Sequence, residues 1–577
     1  MAGSGSGPPE AAENCAEEVL LALHDHGVEF LFLNPGTDSA PLQEALAALG
    51  ARGAAVPHVV TCSFESVALA AAHGFFQVTG RPQAVFVHVD VGTQNLGAMV
   101  HNVLRDRAGV VVLAGKTPYG IDADAPGGRS SQIHWQQDVP DQAGIVRGYA
   151  KWAAELTRSA DTAQVVGRAV QVAGGGKPGL AYLMMSRDVL MEPVGPATGW
   201  QARRFARPRP PGIEPSALAE LARMLVAAQR PVIVTSRLGR SAPGMRSLAR
   251  LAELAVLPVA GQPEAVNLPT GHPMRAAPSA TATLVAEADL VVVIDCDVPW
   301  IPRQVTPDPG ATVVQIDTDP VKADMPLWAF PVDMAVTADG AVAAAQLADA
   351  VQGIGGVPAA LAEARRGWLA AVTSGRSSPD PASHREPGTG GPSVADVVTA
   401  VNGLLRPGDV VVEEAVTNQG VIQDLLERTE PGTLCNAGGP GLGWALGASV
   451  GVKLARPADQ VLALVGDGTF MFGVPTAALC LAAEARAPFV AVVLNNNGYR
   501  ASRLPVTALF PHGAAAAHGV PGTRFTRPPD FAALARACGA HGERVTDTAD
   551  LLSAIQQALK AASEGQAAVV DVAITGQ

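Results

Sequence analysis

The chain has 577 residues, room for about three or four domains of ordinary size, and its 48% hydrophobic content can fill several cores. A formal net charge of −12 excludes the basic surface of a nucleic-acid binder, and 16% charged residues leaves room for large buried subunit interfaces. No apolar run reaches membrane-spanning length, the opening MAGSGSGPPE lacks the layout of a signal peptide, and six scattered cysteines without CxxC spacing suit a reducing compartment, so the expectation is a soluble cytoplasmic protein that engages neither membrane nor nucleic acid.

Three α/β blocks follow one another, divided by Pro-rich connections. The first, residues 12–193, opens with the amphipathic helix CAEEVLLALHDHG, then the strand EFLFLN and the turn Asn34-Pro35-Gly36-Thr37. VPHVVTCS reads as a second strand and leads into a helix from Phe64, with Glu65 in its first turn. A carboxylate heading so apolar a helix is costly without a partner. AVFVHV reads as a third strand that ends at His88. A linker containing Arg203, Arg204, Arg207 and Arg209 among prolines reads as a solvated connection. The second block, 214–352, has strands near PVIVTS, LVVVIDC and TVVQIDTD; a Ser/Pro/Gly-rich stretch near 374–392 separates it from the third, 392–577.

In the third block VLALV (461–465) predicts a buried strand, PTAALCLAAEAR (475–486) a helix and FVAVVL (489–494) a second buried strand. Such a unit makes the strands parallel, so Gly466-Asp467-Gly468-Thr469 and Asn495-Asn496-Asn497-Gly498 share one sheet edge, the edge where ligands bind in open α/β sheets. Asp467 offers a carboxylate oxygen, Asn496 an amide oxygen and Gly498 a backbone carbonyl, a hard-oxygen set suited to Mg2+. Gly466 and Gly468 let the backbone come close, and amides near Thr469 can face a phosphate.

GDG followed by NN at this spacing, each after an apolar strand, resembles the signature of thiamine diphosphate (ThDP) enzymes, specifically the 2-oxo acid decarboxylase and acetolactate synthase family. The resemblance runs over nearly the whole chain. It implies three doubly wound parallel-sheet α/β domains: pyrimidine-binding (PYR), central Rossmann-like, and diphosphate-binding (PP). It implies ThDP and Mg2+ as cofactors and a homodimer or homotetramer in which the PYR half of one subunit completes the PP half of another. It makes Glu65 the carboxylate that hydrogen-bonds the pyrimidine N1′. Asn34, Gly36 and Thr37 fall in the loop facing cofactor and substrate, and Thr417 and Asn418 where relatives offer donors to the diphosphate. Leu442 takes the place of the wedge between the two rings, and the Pro440 carbonyl that of the acceptor for the 4′-amino group, where many relatives have Gly. Tyr499 opens a region that often covers the site; His512 and His518 read as surface-loop residues.

On the substrate side His88 resembles the active-site histidine of benzoylformate decarboxylase. Arg303 stands close to where that enzyme has a second histidine, and an Arg binds carboxylates but does not shuttle protons. Gln136, in His134-Trp135-Gln136-Gln137-Asp138, resembles a glutamine near the acetolactate synthase site. The expected reaction is decarboxylation of a 2-oxo acid, then attack on a second carbonyl compound: an acetolactate synthase-like carboligase. Simple decarboxylation with release of an aldehyde is the alternative, followed by a 2-hydroxyacyl-CoA or oxalyl-CoA lyase and a non-catalytic regulatory protein of the same fold. FAD is not favoured, because the central block has no fingerprint for it.

Overall fold

The structure is a computed structural model that describes residues 12–194, 204–374 and 391–574. The N-terminal stretch, Arg203 and the second predicted linker lie outside the described residues, apart from its ends. Among the described residues seventeen strands form three sheets, and every pairing between these strands is parallel.

The first sheet consists of β1 (Phe30–Leu33), β2 (His58–Thr61), β3 (Gln83–Val87), β4 (Val110–Lys116), β5 (Trp152–Leu156) and β6 (Leu180–Ser186), in the order β2-β1-β3-β4-β6-β5. The second holds β7 (Pro231–Val234), β8 (Val259–Ala260), β9 (Leu290–Ile294), β10 (Thr312–Asp317) and β11 (Met334–Thr337), ordered β11-β10-β9-β7-β8. The third holds β12 (Val410–Glu414), β13 (Leu434–Asn436), β14 (Val461–Gly466), β15 (Val490–Asn495), β16 (His541–Val545) and β17 (Ala568–Ala573), ordered β13-β12-β14-β15-β17-β16. Central strands such as β4, β9 and β14 are runs of Val, Leu, Ile and Ala buried along almost their whole length. Burial of both faces is the pattern of a parallel sheet covered by helices on both sides.

The described residues fall into two compact units. One gathers the chain up to Pro208 with Ala437–Pro457 and Met471–Pro488; the other gathers Arg209–Asn436, Ala458–Phe470 and the chain from Phe489. The first unit therefore contains the first sheet and two helices from the C-terminal part of the sequence, Trp444–Ala455 and Pro475–Glu484. Helix Trp444–Ala455 packs closely on helix Glu65–Thr79. Small residues allow it: a Cβ on Gly451 would fall 1.8 Å from the Ala71 carbonyl, and one on Gly74 2.3 Å from the Ala448 carbonyl.

The predicted strands and helices match the observed ones to within a few residues, with one consequential difference. β3 stops at Val87, so His88 is not a strand residue but the N-cap of helix Val89–Asn95. Val89 has φ 31, a left-handed value, and this sharp break turns the chain at the carboxyl end of the strand.

Candidate cofactor and substrate site

In the second unit, β14 ends at Gly466 and β15 at Asn495. The strands are register-paired neighbours, Gly466 beside Leu494, so the two motifs emerge together at one sheet edge as expected. Asp467 is buried. Its Oδ1 accepts the Gly468 N–H at 2.8 Å and its Oδ2 the Gly498 N–H at 2.9 Å, so main-chain donors tie one loop to the other. Burial pushes the Asp467 carboxyl up, and these amides oppose that push. The second loop has its own brace. Asn495 Oδ1 accepts the Asn497 N–H at 3.0 Å while Asn495 Nδ2 donates to buried Asp571 at 2.8 Å, and Asn497 adopts φ 63.

The two glycines are sterically required. A Cβ on Gly468 would lie 2.9 Å from the Tyr499 ring, and one on Gly498 2.2 Å from the Thr523 carbonyl. Tyr499 is fixed by its N–H to the Thr523 carbonyl at 2.8 Å and by an edge contact with Phe525. Asp467 opens the short helix Asp467–Phe472, with Thr469 buried in it, and Asn496 and Gly498 follow β15 on the neighbouring segment, so a carboxylate, an amide and a backbone carbonyl come from adjacent strand ends. That donor set suits a hard divalent cation carrying phosphate oxygens, so the residues present fit Mg2+ and a diphosphate.

Thr417 and Asn418 follow β12, where sequence reasoning overlooked the organiser, Glu413. It is buried, its Oε1 accepts the Ala415 N–H at 2.7 Å, and its Oε2 accepts Asn436 Nδ2 at 2.9 Å and Gln419 Nε2 at 3.1 Å. It therefore pins both flanks of the Thr417–Asn418 turn, and burial raises its pKa. A carboxylate inside an apolar strand end was the available signal. Arg303 lies in an exposed turn after β9.

In the first unit, Glu65 opens helix Glu65–Thr79, half-buried, and its Oε2 accepts from Asn95 Nδ2 at 3.2 Å. Gly92 keeps room for it, since a Cβ there would lie 3.2 Å from Glu65 Oε1. Asn34 is buried on the same sheet edge. Its Nδ2 donates to the Cys62 carbonyl at 2.8 Å, so this buried amide ties β1 to the segment that delivers Glu65 instead of facing outward. Thr37 is exposed, and Gly36 is where the His88 ring lies: a Cβ there would fall 2.2 Å from His88 Nδ1.

The partner of His88 is Asp38, which sequence reasoning missed. Asp38 Oδ1 lies 2.6 Å from His88 Nδ1 and its Oδ2 accepts the Val89 N–H at 3.1 Å; Asp38 itself is 3% exposed. The hydrogen bond to Asp38 raises the His88 pKa above the usual histidine value, against the opposite effect of burial. Gln137 is buried and adds, as the smallest contribution, to the same upward shift. Gln136, the expected glutamine, is exposed. Neighbours on one helical turn point about 100° apart, so when Gln137 faces in, Gln136 faces out. Buried His134 accepts the Ser130 N–H at 3.0 Å, and its pKa is pushed down by burial and then by Arg187 and Arg129.

Pro440 and Leu442 lie in the irregular run between β13 and helix Trp444–Ala455; Pro440 is exposed and Leu442 half-buried. Trp444 Nε1 donates to His73 Nδ1 at 3.0 Å, and His73 Nε2 lies 2.7 Å from Asp106.

Comparison with known proteins agrees with this geometry. Residues 13–145 match the thiamine pyrophosphate enzyme N-terminal TPP binding domain, 218–347 its central domain and 415–572 its C-terminal TPP binding domain. The chain is 27% identical to benzoylformate decarboxylase of Pseudomonas aeruginosa over 93% of its own length and 95% of that protein's. It is 26% identical to acetolactate synthase of Mycobacterium bovis over 94% and 85%. In fold it is similar to the Rhodococcus jostii thiamine diphosphate-dependent 4-hydroxybenzoylformate decarboxylase, with TM-score 0.80, 21% identity and coverage of 98% and 99%. The chain belongs to the thiamine diphosphate-dependent 2-oxo acid decarboxylase and acetolactate synthase family, and it is a ThDP-dependent enzyme.

Proposed function

We propose that this enzyme decarboxylates a 2-oxo acid and protonates the product for release as an aldehyde, with Mg2+ as its metal. The observation that carries the reading is the Asp38–His88 pair. With Nδ1 committed to Asp38, His88 Nε2 is the nitrogen that gives and takes a proton, and the Asp38 carboxylate favours its charged form.

When bound, ThDP supplies a carbon nucleophile and an electron sink that lets the substrate lose its carboxylate as CO2. Asp467 Oδ, Asn496 Oδ and the Gly498 carbonyl would hold Mg2+. Gly466, Gly468, Thr469, Thr417, Asn418 and Tyr499 would form the diphosphate cradle. Glu65 would bond the pyrimidine N1′, the Pro440 carbonyl would accept from the 4′-amino group, and Leu442 would fill the bend between the rings. His88 would deliver its proton from Nε2, beside Gly36 and Thr37.

We place the complete site at a subunit interface of a homodimer or homotetramer. Apolar side chains next to the cofactor segments support this: Val416 is 53% exposed, Phe472 54% and Trp135 52% in the single chain. A flavin-free central domain is supported by the carboxyl edge of the second sheet. There Lys322 Nζ lies 2.5 Å from Asp317 and 2.7 Å from Asp297, and Arg237 also bonds Asp297, so charged side chains pack where a nucleotide would sit.

Carboligation is the second reading, favoured by Arg500 and Arg503 on the first turn of helix Arg500–Leu509, directly after the Asn motif, where they suit an anionic acceptor. Product analysis with benzoylformate, pyruvate and 2-oxobutyrate, each with and without an added aldehyde or second 2-oxo acid, separates the two. Aldehyde as the main product supports the proposal; a 2-hydroxy ketone or acetohydroxy acid as the main product replaces it with the ligase.

A further inference from the structure

The run from Ala437 to Gly443 forms no helix or strand, yet it must present the Pro440 carbonyl and the Leu442 side chain in fixed directions. Its support comes from a distant part of the sequence, helix Met99–Asp106 in the same compact unit. Asn102 is 0% exposed and uses both ends of its amide on one residue. Nδ2 donates to the Gly441 carbonyl at 2.7 Å, and Oδ1 accepts the Gly441 N–H at 2.9 Å.

The helix surface leaves no space for side chains opposite it. A Cβ on Gly441 would lie 2.8 Å from Ala98 and from Asn102 Oδ1, and one on Gly439 2.7 Å from Asn102 Oδ1. One turn on, Asp106 sits 2.4 Å from where a Gly438 Cβ would be, and it holds His73, which in turn accepts from Trp444. Residues four apart share a helix face, so Asn102 and Asp106 together grip the run at its middle and, through His73, at its end.

The geometry of a peptide unit converts this grip into a function. The Gly441 N–H and the Pro440 C=O belong to one planar trans unit, in which they point in opposite directions. Fixing the N–H on Asn102 therefore aims the Pro440 carbonyl away from the helix. Fixing the Gly441 carbonyl likewise sets the next peptide plane, which carries Leu442. We infer that Asn102 is a positioning residue of the cofactor site: it sets the direction of the Pro440 carbonyl and the Leu442 side chain without touching the cofactor. This inference rests on the roles proposed for Pro440 and Leu442.

The test compares wild type, Asn102→Ala and Asn102→Asp in the full-length protein. Asp keeps an acceptor for the Gly441 N–H, so it keeps the Pro440 peptide plane, and Ala keeps neither bond. ThDP affinity is measured by calorimetry with Mg2+ present. The near-ultraviolet circular dichroism of the bound cofactor reports the state of its aminopyrimidine ring, and melting temperature and oligomeric state are recorded in parallel.

The expected result is a folded Ala variant whose ThDP affinity falls about tenfold with an altered dichroism band, while Asp retains the wild-type band and loses less than about threefold. Wild-type binding and dichroism in the Ala variant would overturn the inference. So would loss of folding in both variants, which would make Asn102 a residue of the fold alone. If wild type itself fails to bind ThDP, the underlying assignment of the site falls, a result distinct from either.

Discussion

Around Asp467 the polar groups are held by the main chain, Gly468 at 2.8 Å and Gly498 at 2.9 Å; around Glu65 and His88 they are held by side chains, Asn95 at 3.2 Å and Asp38 at 2.6 Å. The difference follows from what each region is assigned to do. A cation and a diphosphate need fixed oxygens and N–H groups, which the helix start after β14 and the loop after β15 supply in part from the backbone itself. A proton donor needs a tuned pKa, and tuning requires a charged partner at close range. Side-chain substitution should therefore act on binding at the first region and on the chemical step at the second.

Glu65→Gln should show the largest effect. It keeps the size and the Asn95 contact but removes the carboxylate, so turnover should fall about 100-fold to 10,000-fold while ThDP still binds. Steady-state kinetics at saturating ThDP checks it, and near wild-type turnover would remove the assigned role. Asp467→Ala comes next and acts on the other side of the comparison. ThDP affinity measured with Mg2+ should drop about 100-fold or more, because the variant loses both the proposed metal ligand and the link between the two motifs. Unchanged affinity by calorimetry would mean that the two motifs do not form the cofactor anchor.

Asp38→Asn should have a smaller effect with a pH signature. Losing the carboxylate lowers the His88 pKa, so the charged donor disappears at a lower pH. The falling limb of kcat against pH should then move to lower pH, and turnover at neutral pH should decrease about tenfold. Stability follows the same sign. A histidine whose folded pKa is raised stabilises the fold fully below its ordinary value of about 6.5, and this contribution is lost as pH rises through the raised value. The variant's melting temperature should therefore fall more at acidic than at alkaline pH. A pH profile superimposable on wild type would show that the pair plays no part in proton transfer.

The fold was readable because apolar strands of four to seven residues alternate with helical periods, and the Asp467 and Asn496 motifs sit at strand ends that local pattern identifies. The partners were not readable. Asp38 and His88 are fifty positions apart, and Asn102 and Gly441 are 339 apart; periodicity carries no information about such pairs. His88 itself was found, but as a strand residue, because nothing local marks Val89 as the left-handed break that ends β3. The side-chain directions of Asn34 and Gln136 were not readable for a simpler reason. Residue type and position name a loop, whereas the direction of a side chain depends on the bond it finds, and Asn34 finds the Cys62 carbonyl.

The most direct test follows 13CO2 release from a 2-oxo acid labelled at C1, with benzoylformate as the first substrate and pyruvate and 2-oxobutyrate beside it. The measurement is made with purified protein stripped of cofactor and then supplied with ThDP, Mg2+ or both. The account predicts labelled CO2 only when both are present, with at least one of the three acids, and its loss in Glu65→Gln. Release that is independent of ThDP, or none from any of the three acids when a ThDP-saturated protein is supplied with Mg2+, would contradict it.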